Sequence, residues 1–187
     1  LDAWSHGYTG YPMVDACMRA LRQTGWINFR MRAMLMSFGS YHLWLHWRPT
    51  ALHLARYFTD FEAGIHYSQA QMQSGTTGIN AVRIYSPTKQ AKDQDPTGEF
   101  IRTWVPELAS VPTPYIAEPA TMPLEIQHQQ GCIIGKDYPA PIVNHQQAVK
   151  EAKSKVYKRR RTPEGREEAA RVYRKHGSRR RPQNRRK

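Results

Sequence analysis

From residue 12 to residue 73 the apolar side chains recur three and four positions apart, and nowhere in the chain do they alternate over the length of a strand. That spacing confines the fold to helices. The first helix is expected over 12–23. Pro12 follows the turn-prone pair Thr9-Gly10, a proline is tolerated in a first helical turn, and Val14, Cys17, Met18 and Leu21 share a face. Thr24-Gly25 ends it. A second helix is expected over 28–47, with Met31, Met34, Leu35 and Phe38 on one side and Pro49 as its stop. A third covers roughly 50–58 and a fourth 63–73, before Ser74-Gly75.

Beyond this cluster, 76–98 reads mostly as loop, with a helical turn or two near 99–104. Residues 106–141 carry prolines at 106, 112, 114, 119, 123, 139 and 141, which predicts an ordered wrapping segment with little secondary structure. A further helix is expected over 143–157. The fold class is all-α, with a domain over 1–149 and a basic tail over 150–187. The tail holds 17 of the 28 Lys and Arg but only four of the 15 Asp and Glu, so residues 1–149 are balanced at 11 of each. The net charge of +13 is therefore the tail's. Past Lys158 the chain is so poor in apolar residues that disorder or a weak helix is expected.

Several chemistries drop out on pattern alone. The two cysteines, Cys17 and Cys132, fit neither a disulfide framework nor a ligand spacing, and agree with a reducing, intracellular setting. No apolar run is long enough to cross a bilayer and no secretory pattern opens the chain, which starts on Leu1 and so reads as a fragment or a processed chain. Neither GxGxxG nor GxxxxGK[ST] occurs. Met13, Met18, Met31, Met34, Met36 and Met72 are read as core filler. His42 and His46 stand four apart, where a helix would bring them to one face, but no carboxylate completes a metal site. Arg30 and Arg32 flank Met31 and must point to different sides; the nearest acidic partners are Asp60 and Glu62.

A collinear series of short boxes over residues 4–145 nevertheless stands out. They include Thr9-Gly10-Tyr11-Pro12-Met13-Val14-Asp15-Ala16-Cys17-Met18-Arg19, then Thr24-Gly25-Trp26, Arg30-x-Arg32, Trp47-Arg48 and Asp60-x-Glu62. Gln71 with Gly75, Arg83-Ile84-Tyr85-Ser86-Pro87, Asp95-Pro96-x-Gly98-Glu99-Phe100-Ile101, Trp104-Val105-Pro106-Glu107-Leu108, Glu118-Pro119 and Asp137-Tyr138-Pro139-Ala140-Pro141-Ile142-Val143 follow. The series resembles the C-terminal, helical part of the photolyase/cryptochrome family. The resemblance implies FAD held in a helical domain. It also implies an N-terminal α/β domain or partner chain, and an earlier Ser/Thr-rich segment that grips the FAD phosphates; neither has a counterpart in these 187 residues.

Carried over position by position, Arg32 and Asp60 resemble the pair beside the flavin. Phe61 and Glu62 belong to the same loop, and His66 falls at the residue facing flavin N5. Trp47 matches the middle tryptophan of the family's electron-transfer chain. Phe29, Arg30 and Met72 would face UV-damaged DNA and its lesion. The sequence departs from the family where Ala70 replaces the tryptophan next to the flavin, Met72 replaces the one that packs on a flipped lesion, and Phe29 replaces an asparagine. The function implied is light-driven repair of a pyrimidine photoproduct, with the basic tail adding nucleic-acid affinity. The alternatives are a cryptochrome-like or accessory FAD module without repair, and a fragment that has lost FAD and binds nucleic acid through its tail.

Overall fold

The computed structural model describes residues 1–77 and 82–176, and eleven α-helices cover most of them. The first group is α1 (Asp2–His6), α2 (Pro12–Thr24), α3 (Phe29–Ser37), α4 (Trp47–Ala55) and α5 (Ala63–Gln73). Then come α6 (Pro87–Gln94), α7 (Glu99–Trp104), α8 (Thr113–Ile116), α9 (Leu124–Gln130), α10 (His145–Arg160) and α11 (Pro163–His176). Among the described residues the one β pairing is an isolated bridge between Ile134 and Tyr138. The expected all-α class and the strand-free cluster over 10–75 are therefore observed.

Helix α2 is the centre of the core. Val14, Cys17, Met18 and Leu21 are fully buried, and the helix packs against α1, α3, α6 and α7. Removing such side chains from water supplies roughly 1.5–3 kcal/mol each. Met13, Met31, Met34 and Met36 join them, as the packing reading of the methionines required; Met72 is half-buried. Pro12 is the first residue of α2, and Gly25 closes it at φ 74, donating its N–H to the Leu21 carbonyl.

The expected second helix over 28–47 breaks in two. Its α-helical part stops at Ser37, and residues Phe38–His42 continue as a π-helical turn. Gly39 lies against Thr50 and Trp4, where a side chain would crowd Thr50. Trp44 then takes φ 51, reversing the chain before α4. Pro49 is not a stop. It sits in the first turn of α4, where its missing N–H has no helical partner to lose, and the His46 side chain caps that turn by accepting from the Arg48 N–H.

Two further expectations need correction. Residues 87–94 are helical: Ser86 accepts from the Lys89 N–H and Pro87 opens α6, both start signals. The proline-punctuated stretch contains α8, α9 and two 3-10 turns, each with a proline in its first turn or at its cap. The prolines there begin helices rather than exclude them.

The wrapping segment is tied down through one carboxylate. Asp15, fully buried, accepts from the Thr9 N–H (2.8 Å), the Thr9 hydroxyl (2.6 Å), the Gly10 N–H (3.1 Å) and the Tyr138 hydroxyl. Tyr11 donates to the Val143 carbonyl at 2.6 Å, and Arg19 makes a bidentate pair with Glu107. Helix α10 runs unbroken through position 150 and packs on the π turn, while α11 packs on α10 and buries none of its own residues. The stretch expected to be disordered or weakly helical is thus helical as far as His176. The rest of the tail, 177–187, and residues 78–81 of the expected loop lie outside the described residues.

Candidate flavin site

Helices α3, α4 and α5 meet around an open cleft of about 160 Å³. Its walls are mostly apolar: Ala33 and Met36 from α3, Leu54 from α4, Ala70 from α5, and Phe58 from the turn between α4 and α5. Phe29, Phe61 and Ile65 at the mouth are 56%, 42% and 63% exposed. A cleft rimmed by exposed rings is a surface suited to a planar apolar ligand.

Arg32 supplies the charge at its edge. Its Nε donates to the Ile27 carbonyl at 2.8 Å, its Nη2 to Asp60 Oδ2 at 2.8 Å, and its guanidinium carbon lies 4.1 Å from the centre of the Phe58 ring. Three contacts on three sides leave the guanidinium little freedom. The hydrogen bond from Arg32 holds the Asp60 carboxyl below its ordinary range. The contact expected between these two residues is therefore present, and Arg30 points elsewhere, exposed on α3.

His66 reaches the same cleft from the first turn of α5. Its Nε2 lies 2.8 Å from the Ala51 carbonyl, so Nε2 must carry the proton and donate. Burial lowers its pKa. The ring is consequently neutral near pH 7 and presents Nδ1 as an acceptor, the one role left to it. Glu62 lines the cleft but is exposed, and its carboxylate caps α5 by accepting from the Gly64 N–H at 3.1 Å.

Phe29, Arg32, Asp60, Phe61, Glu62 and His66 are therefore gathered around one cleft. Trp47, Arg30 and Met72 are not part of its lining: Trp47 is half-buried against the core at the start of α4, and Met72 lies half-buried on α5. His42 and His46 do not share a face, because His42 faces His145 from the π turn while His46 caps α4. Sequence reasoning missed Phe58, Met36, Gln69 and Gln73. The spacing Ile65, Gln69, Gln73 and the pair Ala33, Met36 held the available signal, one face of each helix.

The family described as the FAD binding domain of DNA photolyase matches residues 1–158. A (6-4)DNA photolyase of Oryza sativa subsp. japonica is 40% identical over 153 residues, 81% of this chain and 28% of the relative. Cryptochrome-1 of Aedes aegypti is 35% identical over 150 residues, 77% of this chain and 27% of the relative. Among solved structures, a Synechocystis cryptochrome superposes with a TM-score of 0.79 at 32% identity, over 82% of this chain and 32% of that one. The chain thus spans about a third or less of the proteins it matches.

The cleft fits the isoalloxazine ring of FAD on its own chemistry: apolar walls for the ring faces and a fixed guanidinium for a polar edge. Gln69 Oε1, buried in the lining with no hydrogen bond among the described residues, can accept from a ring N–H. The residues would hold the flavin ring between α3 and α5, with Arg32 and Asp60 at its edge. The chain belongs to the photolyase/cryptochrome family, within its helical FAD-binding domain, and FAD is its cofactor.

Proposed function

We propose that the chain is the flavin-holding part of a blue-light-driven DNA photolyase acting on a flipped-out pyrimidine photoproduct. The observation that carries this is the Arg32 guanidinium, fixed by Asp60, Ile27 and Phe58 at the rim of an apolar cleft. When bound, FAD supplies the light-driven electron donation, and the protein supplies placement, electrostatics and dryness. A fixed positive charge favours the anionic reduced flavin, and the partner carboxylate limits the penalty of holding that charge in place. His66 offers an acceptor on the N5 side and is the residue proposed there. Asp60, Phe61 and Glu62 form the loop along the ring edge.

Phe29 and Met72 are proposed to line the lesion cavity, and Arg30 to contact lesion or phosphate. Trp47, outside the cleft, is the proposed electron relay. A flipped-out photoproduct exposes its pyrimidine faces, and the rings at the cleft mouth offer them a stacking surface. The basic residues of 150–187 add non-specific affinity for the phosphate backbone, and an N-terminal domain or chain completes the FAD site.

One observation favours a second reading, a cryptochrome-like module without repair. Ala70, buried in the cleft wall, stands where the family resemblance places a tryptophan, and Met72 contributes no ring at the next position. Two measurements decide. The absorption spectrum of the purified chain, alone and with its N-terminal portion, should show bound flavin; no flavin in either sample refutes both readings. A repair assay on UV-damaged DNA under blue light should then show lesion loss. Flavin without repair selects the second reading.

A further inference from the structure

A second, larger cleft shares no residue with the first. It opens between the π turn with its following loop on one side and helices α10 and α11 on the other, with a volume of about 610 Å³. Its floor is aromatic: Tyr41, Trp44 and Trp47. Trp44 is 49% exposed and sits at φ 51, a left-handed backbone that bulky residues rarely adopt. Its indole is therefore presented outward by a conformation the surrounding fold enforces. The π turn beneath it is a widened helical turn of a kind found frequently at functional sites.

The wall opposite is cationic. Lys155 Nζ lies 4.7 Å from the centre of the Trp44 ring, and Arg159 and Arg160 line the cleft one turn further along α10. Two buried polar atoms complete the inventory. The Ser40 and Tyr41 hydroxyls, on residues 7% and 2% exposed, line the cleft and have no hydrogen-bond partner among the described residues. Buried hydroxyls are nearly always satisfied, so two orphans in one lining mark a place where a ligand supplies the missing bonds. Gly75, just past the end of α5, packs against the Tyr41 side chain, where any side chain of its own would collide with the hydroxyl.

Exposed indole, ammonium and guanidinium, and idle hydroxyls together match a ligand with a flat heteroaromatic ring, polar ring edges and one phosphate. We propose that this cleft binds a nucleoside monophosphate. The base lies on Trp44, taking the face Lys155 now covers. Lys155 and Arg159 hold the phosphate, the first as a point charge and the second as a fork. Ser40 and Tyr41 meet the base edge. Glu164, lining the cleft from α11, accepts from the ribose hydroxyls; Glu168 beside it is paired with Arg171 at 2.6 Å.

The Glu164 carboxylate also bears on the choice between a mononucleotide and a nucleic-acid strand. A strand passing through the cleft would carry its next phosphate toward Glu164, where like charge repels it; the charge of Glu168 is already met by Arg171. A single phosphate held at Lys155 and Arg159 avoids Glu164.

The test is calorimetric titration of the full chain with AMP, adenosine, ribose 5-phosphate and oligothymidine. AMP should bind saturably, and adenosine and ribose 5-phosphate should each bind at least about tenfold more weakly. Trp44→Ala, and separately the pair Lys155→Glu with Arg159→Glu, should weaken AMP at least about tenfold at unchanged helical circular dichroism, whereas Trp44→Phe keeps most of the affinity. Arg32→Ala, in the flavin cleft, should leave the AMP titration unchanged. Absence of saturable AMP binding, or adenosine binding as well as AMP, overturns the proposal. Affinity unmoved by the Trp44→Ala or the Lys155/Arg159 variants, or lost in Arg32→Ala, does so as well. Oligothymidine binding more tightly than AMP would overturn it in favour of a strand site.

Discussion

Acid should loosen the junction between the π turn and helix α10, and the loss can be sized. His42 is 5% exposed, stacked on Phe38 at 4.7 Å, with Tyr11 on another side. Its Nε2 meets His145 Nδ1 at 2.8 Å, and its Nδ1 has no partner among the described residues. One proton fits between the two rings; a second on His42 would leave a buried N–H unpaired. Burial, reinforced by His145, lowers the His42 pKa from 6.5 to about 4. A base whose native pKa is depressed binds its proton more readily when unfolded, so its contribution is whole above pH 6.5 and lost as pH falls toward 4. At pH ~5 the unfolded chain is ahead by a factor of ~30 in proton binding, or about 2 kcal/mol. His53, His66 and His145 are lowered in the same direction, so the His42 share must be isolated by substitution. Urea unfolding followed by circular dichroism at pH ~7.5 and ~5 should show the parent losing about 2 kcal/mol more than His42→Gln. An exposed control, His128→Gln, should lose as much as the parent. Equal losses in parent and His42→Gln would refute the reasoning.

Arg32→Ala should reduce flavin retention during purification by at least about tenfold, since it removes the fixed guanidinium at the cleft edge; an unchanged spectrum would remove Arg32 from the site. Gly10→Ala should cost at least about 2 kcal/mol in urea unfolding, because Gly10 sits at φ 76 and a Cβ there would come within 2.5 Å of the Ala140 and Pro141 backbone. Deleting 158–187 should remove most non-specific DNA affinity and flatten its salt dependence, by roughly one unit of slope for each phosphate the tail no longer neutralises, while leaving any flavin spectrum intact. A salt slope equal to that of the full chain would mean the tail is a solvated charge run.

Helix α2 was legible because every signal agreed: a proline at its start, apolar residues on one face and a glycine at its end. The break at 38–46 was not, because no local residue announces a π turn and Pro49 reads as a stop or a start depending on where the preceding helix ends. In the tail, apolar content was the wrong gauge for α11. Pro163 opens the helix and Thr162 accepts from the Gly165 N–H at 3.1 Å, so its start is organised by local capping and needs no buried face. At the cleft, charge narrowed the partners of Arg30 and Arg32 to Asp60 and Glu62, and the family resemblance picked out Arg32 with Asp60. Phe58, Gln69 and Gln73 could not be found this way, since they become neighbours only when α3, α4 and α5 cross.

The motif strings that carry the family resemblance are, physically, of two kinds, and a mutant cycle can separate them. Thr9-Gly10 and Asp15 from one end and Tyr138 from the other converge on a single buried carboxylate, more than a hundred residues apart in sequence and outside the cleft lining. Their work is to fasten the wrapping segment to α2. Arg32 and Asp60 sit at an exposed rim, with side chains 23% and 50% exposed, where an ion pair adds little to stability. Tyr138→Phe removes a hydrogen bond to a buried carboxylate and should cost about 2 kcal/mol. Asp15→Asn turns two of the carboxylate's accepting positions into donors facing other donors, and should cost about 3 kcal/mol or more. Since the shared bond can be lost only once, the double variant should fall short of the sum by about 1 kcal/mol or more. Arg32→Ala combined with either should be additive within ~0.5 kcal/mol. Strict additivity between Asp15 and Tyr138 in urea unfolding would show that the wrapping segment is held by something other than this carboxylate.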